Sequence, residues 1–301
     1  MCKVRRPVVL VLAMVACMAL VQAQDDAAAS QARAAQLLEQ ARLMIGGEAK
    51  LRAVTSLTAS GKLSRSMGPS NELTGTIDVS ILLPDRFLVS DTMNLEFGDV
   101  TRTRALNGEE AWSESSGAGG GAGGIQIRTG PGPGPAGNPA QAQAMEKRAL
   151  MQEFTRHMIA WLLAPPAALE LTFRYAGTGE VAGAAADILE GKGADGLALK
   201  LYLDQATQLP LMVSYQGRAP RMVFRQGPPS PEAAERQARE MMAAPPAPVE
   251  FQLRLSDYRS VGEILLPHRM TRVVEGRVTE EWRIDKFKIN PTLKLERFKR
   301  P

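Results

Sequence analysis

Two histidines and two cysteines are the chain's whole stock of the residue types that most often bind metals or attack substrates. Cys2 and Cys17 both precede residue 24, so the body has no thiol for a zinc site, a disulfide framework or a nucleophile. His157 and His268 lie far apart in sequence, too little material for a histidine metal site or a catalytic relay. Both are read as exposed or partly satisfied, His157 on the polar side of a helix beside Arg156 and His268 in a strand between Pro267 and Arg269. The acidic pairs Glu109-Glu110 and Glu280-Glu281 have the groups for acid–base work, but neighbours on a strand point to opposite faces, so neither pair converges on one bond. A serine hydrolase would want a GxSxG elbow, which does not occur. The glycines between 117 and 124 lack a GxxxxGK[ST] signature and a surrounding βαβ unit, which argues against a phosphate loop. The chain is therefore expected to be no enzyme and to need no metal or cofactor.

What the sequence offers instead is apolar surface in a regular pattern. With 45% hydrophobic residues among 301, the chain can bury a sizeable core. Residues 76–82 set Ile77, Val79 and Ile81 against Thr76, Asp78 and Ser80, the period of a sheet with one apolar and one wet face. Phe87 and Val89 follow on the return strand after Pro84-Asp85-Arg86, and Asn107-Gly108 marks a tight turn before Trp112, which is expected on the same inner face. The pattern resumes over 169–175, 185–190, 197–204, 211–215, 221–225, 249–258, 264–274 and 278–285. Its inward set is Leu199, Leu201, Val213, Tyr215, Phe224, Leu253, Leu255, Trp282 and Ile284. Short connections predict antiparallel neighbours, 10 to 12 strands in one sheet.

Helices must cover the apolar face. One is predicted over 30–45, stopped by Gly46-Gly47, with a short helical continuation over 48–57. A longer one runs over 139–163 behind the cap Asn138 and Pro139, with Leu150, Phe154, Met158 and Trp161 along its apolar stripe. Two segments interrupt the pattern. Residues 116–138 are glycine- and proline-rich and predict a flexible insertion, and 228–248 predict a proline-flanked polar helix.

Lys3, Arg5 and Arg6 precede a nearly wholly apolar run from Val8 to Val21, and Val21-Gln22-Ala23 has the small-residue pattern of a signal-peptidase site. Residues 1–23 read as a cleaved signal peptide ahead of a single domain over 24–301, exported to the periplasm with no transmembrane anchor. Met14-Val15-Ala16-Cys17 is similar to a bacterial lipobox, so lipid anchoring at Cys17 is the alternative. The leader holds three of the 36 basic residues, leaving 33 against 32 acidic ones, and the body lacks basic clusters and stacking aromatics. Nucleic acid is not an expected partner.

The stretch Leu201-Tyr202-Leu203-Asp204 with Leu209-Pro210-Leu211, then Asp257-Tyr258-Arg259 with Gly262-Glu263-Ile264-Leu265-Leu266-Pro267, and finally Ile289-Asn290-Pro291 with Phe298, resembles the LolA/LolB-like superfamily of periplasmic lipoprotein carriers. Gly46-Gly47 to Leu57 and Leu83-Pro84-Asp85-Arg86-Phe87 extend the resemblance over nearly the whole body. It implies an α+β, mainly antiparallel architecture: a single curved sheet forming an open half-barrel closed by helices around an apolar cavity for acyl chains. The matching residues are turns and strand edges, so they bear on fold rather than activity. Two functions follow as expectations: a monomeric carrier binding lipid or lipoprotein acyl chains, or a non-catalytic module that senses or tethers an envelope protein partner. A cavity of several hundred Å³ would favour the first, and a filled interior the second.

Overall fold

Most strands have one apolar face and are joined to the next by a turn too short for anything but an antiparallel return. The computed structural model describes residues 7–68, 71–96, 98–117, 139–165, 170–218 and 248–301. Its strands are β1 (Ser56–Ser66), β2 (Glu72–Leu82), β3 (Arg86–Leu95), β4 (Gly98–Asn107), β5 (Glu110–Gly117) and β6 (Leu171–Val181). They continue with β7 (Ala184–Gly193), β8 (Ala198–Asp204), β9 (Pro210–Arg218), β10 (Pro248–Val261), β11 (Ile264–Val274) and β12 (Arg277–Ile289). All twelve lie in one sheet, ordered β5-β4-β3-β2-β1-β12-β11-β10-β9-β8-β7-β6. The first and last strands pair at its centre, while β5 and β6 are its two edges among the described residues. This is the expected single antiparallel sheet, at the upper end of the expected strand number.

Three helices accompany the sheet: α1 (Pro7–Ile45), α2 (Glu48–Arg52) and α3 (Pro139–Leu162). α3 lies on the connection from one free edge, β5, to the other, β6, so the chain must cross the open side of the sheet. Its 24 residues span about 36 Å at about 1.5 Å per residue. It packs against β4, β5, β9 and β11, and α1 packs against β6 and β11. α1 stops where expected: the Gly47 amide donates to the Arg42 carbonyl at 2.8 Å, with Gly46 and Gly47 at φ 150° and 89°. No helix among the described residues is long and apolar enough to cross a membrane.

Two glycines permit close approach of neighbouring strands. A Cβ on Gly61 would lie 2.1 Å from the Arg283 carbonyl oxygen, at the β1–β12 bulge, and one on Gly75 would lie 1.9 Å from that of Thr92. Only a residue without a side chain lets the strands approach so closely there. Two polar side chains fix strand ends and turns. Asn290 Oδ1 accepts from the Thr55 and Ser56 amides at 2.7 and 3.3 Å, and its Nδ2 donates to the Ala53 carbonyl at 2.9 Å, clipping β12 to the start of β1. Asp204 Oδ1 accepts from the Ala206 and Thr207 amides at 2.8 and 2.7 Å and fixes the β8–β9 turn.

The main core lies between the concave face and the two long helices. Ala34, Leu37, Ala41 and Ile45 of α1 and Leu150, Phe154, Met158 and Trp161 of α3 meet Ile77, Val79, Phe87, Leu201 and Ile284 of the sheet. A smaller cluster sits apart from it. Trp112, Leu88, Ala105 and Phe298 pack together, and Trp112 Nε1 donates to the Phe298 carbonyl at 2.8 Å. Trp112, expected to face inward, is thus placed on the other face, and Ala111 takes the core position of β5.

Candidate functional site

Fifteen of the residues expected on the inner face share one buried cluster: Ile77, Val79, Ile81, Phe87, Val89, Leu150, Phe154, Met158, Leu199, Leu201, Val213, Leu253, Leu255, Trp282 and Ile284. Tyr215 is half-buried at its margin, stacked on Phe251 with ring centroids 5.3 Å apart. Phe224, the strand expected over 221–225, nearly all of the insertion expected over 116–138 and of the polar helix expected over 228–248, and the start of the signal segment lie outside the described residues. The helices fill the trough. The void against it measures about 10 Å³, room for about one water, between His157, Leu253, Met270, Arg272, Glu280 and Trp282. A wider depression of about 580 Å³ lies elsewhere, between Asp26, Ser30 and Gln31 of α1 and Arg174, Tyr175 and Glu190 of the β6–β7 edge.

A stripe of charge crosses this otherwise apolar face beneath α3. Glu280 of β12 takes Arg65 of β1 at 2.7 Å and Arg272 of β11 at 3.0 Å, and also accepts from Trp282 Nε1 at 2.9 Å. Asp91 of β3 stands 3.5 Å from Arg65 and 3.9 Å from Arg104 of β4, and opposite Arg102 in the β3–β4 ladder. From above, α3 inserts Glu153, whose Oε2 accepts from Arg104 Nη1, and Arg156, whose guanidinium lies 4.0 Å over the Tyr215 ring. Arg104 Nε and Glu153 Oε1 are buried and have no partner among the described residues.

These groups hold one another in their charged forms. Burial alone would raise the Glu153 carboxyl, but Arg104, then His157, Arg272 and Arg156 outweigh it and bring it down to about 2. Burial likewise opposes charge on Glu280, which Arg272 and Arg65 hold below the usual carboxylate range. A carboxylate held so low has no proton to give at neutral pH, so the stripe has the character of an electrostatic seam rather than an acid–base pair. Burial, then the neighbouring Arg104, brings Arg102 down to about 10. Among the described residues no group of three or more metal-binding side chains converges.

His157 overturns the expectation of an exposed ring. It is 3% exposed, stacked on Trp282 at 5.3 Å and against Phe87 and Trp161 at 5.4 and 5.2 Å. Its Nδ1 donates to the Glu153 carbonyl at 2.8 Å. His268 is buried too, with Nδ1 donating to the Leu266 carbonyl at 3.1 Å and its ring edge-on to Phe287. Burial outweighs the attraction of Glu153 and lowers the His157 pKa from 6.5 to about 4, with Arg272 and Arg156 pushing the same way. The fold therefore keeps a neutral ring that the unfolded chain protonates, so this stability is complete above about pH 6.5 and is lost as pH falls toward about 4. Between about pH 7.5 and 5 the loss comes to about 2 kcal/mol. Thermal melts should show a Tm drop over this interval that is much smaller in His157→Leu. Equal drops in both proteins would place the acid sensitivity elsewhere.

No protein-family model matches the chain, and no curated protein matches it either. Among solved structures it is similar to a DUF1329 family protein from Desulfovibrio piger, at 11% identity over 88% of this chain and 96% of that one, with a TM-score of 0.44. A domain described as an outer membrane lipoprotein-sorting protein from Vibrio parahaemolyticus gives 11% identity, 87% and 95% coverage, and a TM-score of 0.43. A LolA superfamily protein from Nitrosomonas europaea gives 8% identity, 88% and 96% coverage, and a TM-score of 0.44.

Proposed function

We propose that this chain is a periplasmic carrier that binds lipid or lipoprotein acyl chains in the trough of its half-barrel, and that α3 is a movable cover docked in its ligand-free state. The observation that supports this is the seam under α3. A lid meant to stay shut is at least as stable built from well-packed apolar side chains, whereas buried ion pairs return favourably to water on opening. Here Arg104, Glu153 and Arg156 stand where an apolar contact would otherwise be, and two of their polar atoms lack partners.

The energetics of exchange are balanced. Undocking α3 exposes Leu150, Phe154, Met158 and Trp161, at about 2 kcal/mol each. An acyl chain of about ten methylenes laid in the same trough recovers about 8 kcal/mol. Ligand can therefore replace helix with little net cost.

The filled interior favours the second reading, an envelope protein-interaction module that never opens. Uptake of a fluorescent fatty acid by wild type and Phe154→Ala separates the two. A cover that opens part of the time lowers apparent affinity by its open fraction, so weakening it should move uptake to lower ligand concentration. If neither protein takes up the probe and Phe154→Ala only loses about 3 to 5 kcal/mol of stability, the trough is permanent core and the carrier reading is dropped.

A further inference from the structure

We propose that the concave face holds a headgroup site in which Arg65, Arg104 and Arg272 take the carboxylate or phosphate of an anionic amphiphile, a place that Glu153 of α3 occupies while the cover is docked. This rests on the reading of α3 as a cover and names the class of ligand that the uncovered trough prefers.

The first support is the charge that α3 leaves behind. Among the described residues the stripe sets three guanidiniums, Arg65, Arg104 and Arg272, against two carboxylates, Asp91 and Glu280. Glu280 is engaged by Arg65 and Arg272, and Asp91 reaches Arg104 only at 3.9 Å. The close partner of Arg104 is therefore supplied by a different element, the helix that would move. With α3 away, the sheet keeps an excess of positive charge inside a trough whose other lining is apolar, where an anion is attracted far more strongly than in water.

The second support is the incomplete fit of the helix's own anion. Glu153 reaches Arg104 through Oε2 alone, so Arg104 Nε and Glu153 Oε1 face no partner although both are buried. A guanidinium is a fork made to hold two oxygens of one carboxylate or phosphate. A ligand headgroup free of the helix backbone can take both arms where Glu153 takes one.

The third support is continuity with the apolar floor. Arg104 stands opposite Val89 in the β3–β4 ladder, and Arg272 stands opposite Leu253 in the β10–β11 ladder. A headgroup on the stripe would leave its chain lying on Val89, Phe87, Leu253 and Leu201, which belong to the one apolar cluster. Glu153 then acts as a built-in competitor: it neutralises the site when empty and yields to an anion that binds better.

The test uses the mature protein and displacement of the neutral probe N-phenylnaphthylamine by decanol, decanoate and decyl phosphate, which share one chain length. Wild type should release the probe to the two anions at a concentration about tenfold lower than to decanol, and that preference should shrink as salt is raised. Glu153→Gln should strengthen the anions about tenfold again relative to decanol, and Arg104→Gln should abolish the preference. Decanoate ahead of decyl phosphate marks a fatty-acid site, and the reverse order marks a phosphate headgroup. Decanol binding as well as both anions in wild type, whatever the salt, overturns the headgroup site while leaving the cover intact. Failure of probe and all three ligands to bind overturns the cover reading itself. The wild-type comparison decides the matter even if a variant fails to fold.

Discussion

Arg104→Met should lower the stability of the protein by about 3 to 5 kcal/mol, more than the removal of a typical surface ion pair by several-fold. The loss does not measure what the pair contributes. It measures what Glu153 costs when it stays behind, buried under α3 without the guanidinium that its Oε2 pairs with. In the folded protein Arg104 is the largest influence holding that carboxyl down at about 2, and without it burial dominates. Removing both members together should be far milder: Arg104→Met with Glu153→Leu should recover most of the loss, because apolar groups of similar volume pack against Phe87, Phe154 and Met158 without stranding a charge. Urea denaturation of the two single variants and the double variant closes the cycle. A cost below about 1 kcal/mol for Arg104→Met would mean that water reaches Glu153 in the docked state, and the seam could not then be treated as desolvated.

The phase of the strands made most of the trough legible in the sequence. Leu199, Leu201 and Leu203, or Ile77, Val79 and Ile81, alternate so regularly that one face had to be buried, and all six are. Trp112 escaped because Ala111 is apolar too, and a two-residue signal cannot say which side faces in. Bulk favoured Trp112, but α3 runs close over β5 and leaves room for an alanine, while the tryptophan is covered from outside by Phe298, 186 residues later in the chain. The charged stripe was missed for a different reason. Arg65, Asp91, Arg104, Arg272 and Glu280 are residue types that ordinarily belong to a wet face. Yet each stands an even number of residues from an inward apolar neighbour: Leu63, Val89, Leu106, Met270 and Trp282. His157 was equally in phase, seven residues from Leu150, three from Phe154 and four from Trp161. A charge standing in the apolar phase was the available signal, and five strands carried it. What no single segment could reveal is the register that sets Glu280 opposite both Arg65 and Arg272.

Whether α3 is a cover or a fixture becomes a question about Trp161, which should be its strongest anchor. The ring is 1% exposed, edge-on to Phe287 at 5.5 Å and to His157 at 5.2 Å, with Nε1 donating to Met270 Sδ at 3.1 Å. Trp161→Ala removes all of these and should cost about 3 to 5 kcal/mol. Where that loss is felt is the informative part. If α3 docks on a sheet that persists without it, the loss falls on α3 alone, and its amides should exchange with solvent roughly 100- to 4,000-fold faster. The β1, β2 and β12 amides at the sheet's centre are bonded strand to strand and should change little. If α3 is instead part of one indivisible core, every protected amide in sheet and helix should accelerate by the same factor. Hydrogen exchange on wild type and Trp161→Ala therefore reads the independence of the helix directly, with no ligand present. Uniform acceleration would remove the physical basis for opening. Acceleration confined to α3 would show that the energy released when an acyl chain enters has only to replace the contacts of a single helix, which an apolar ligand of ordinary length can do.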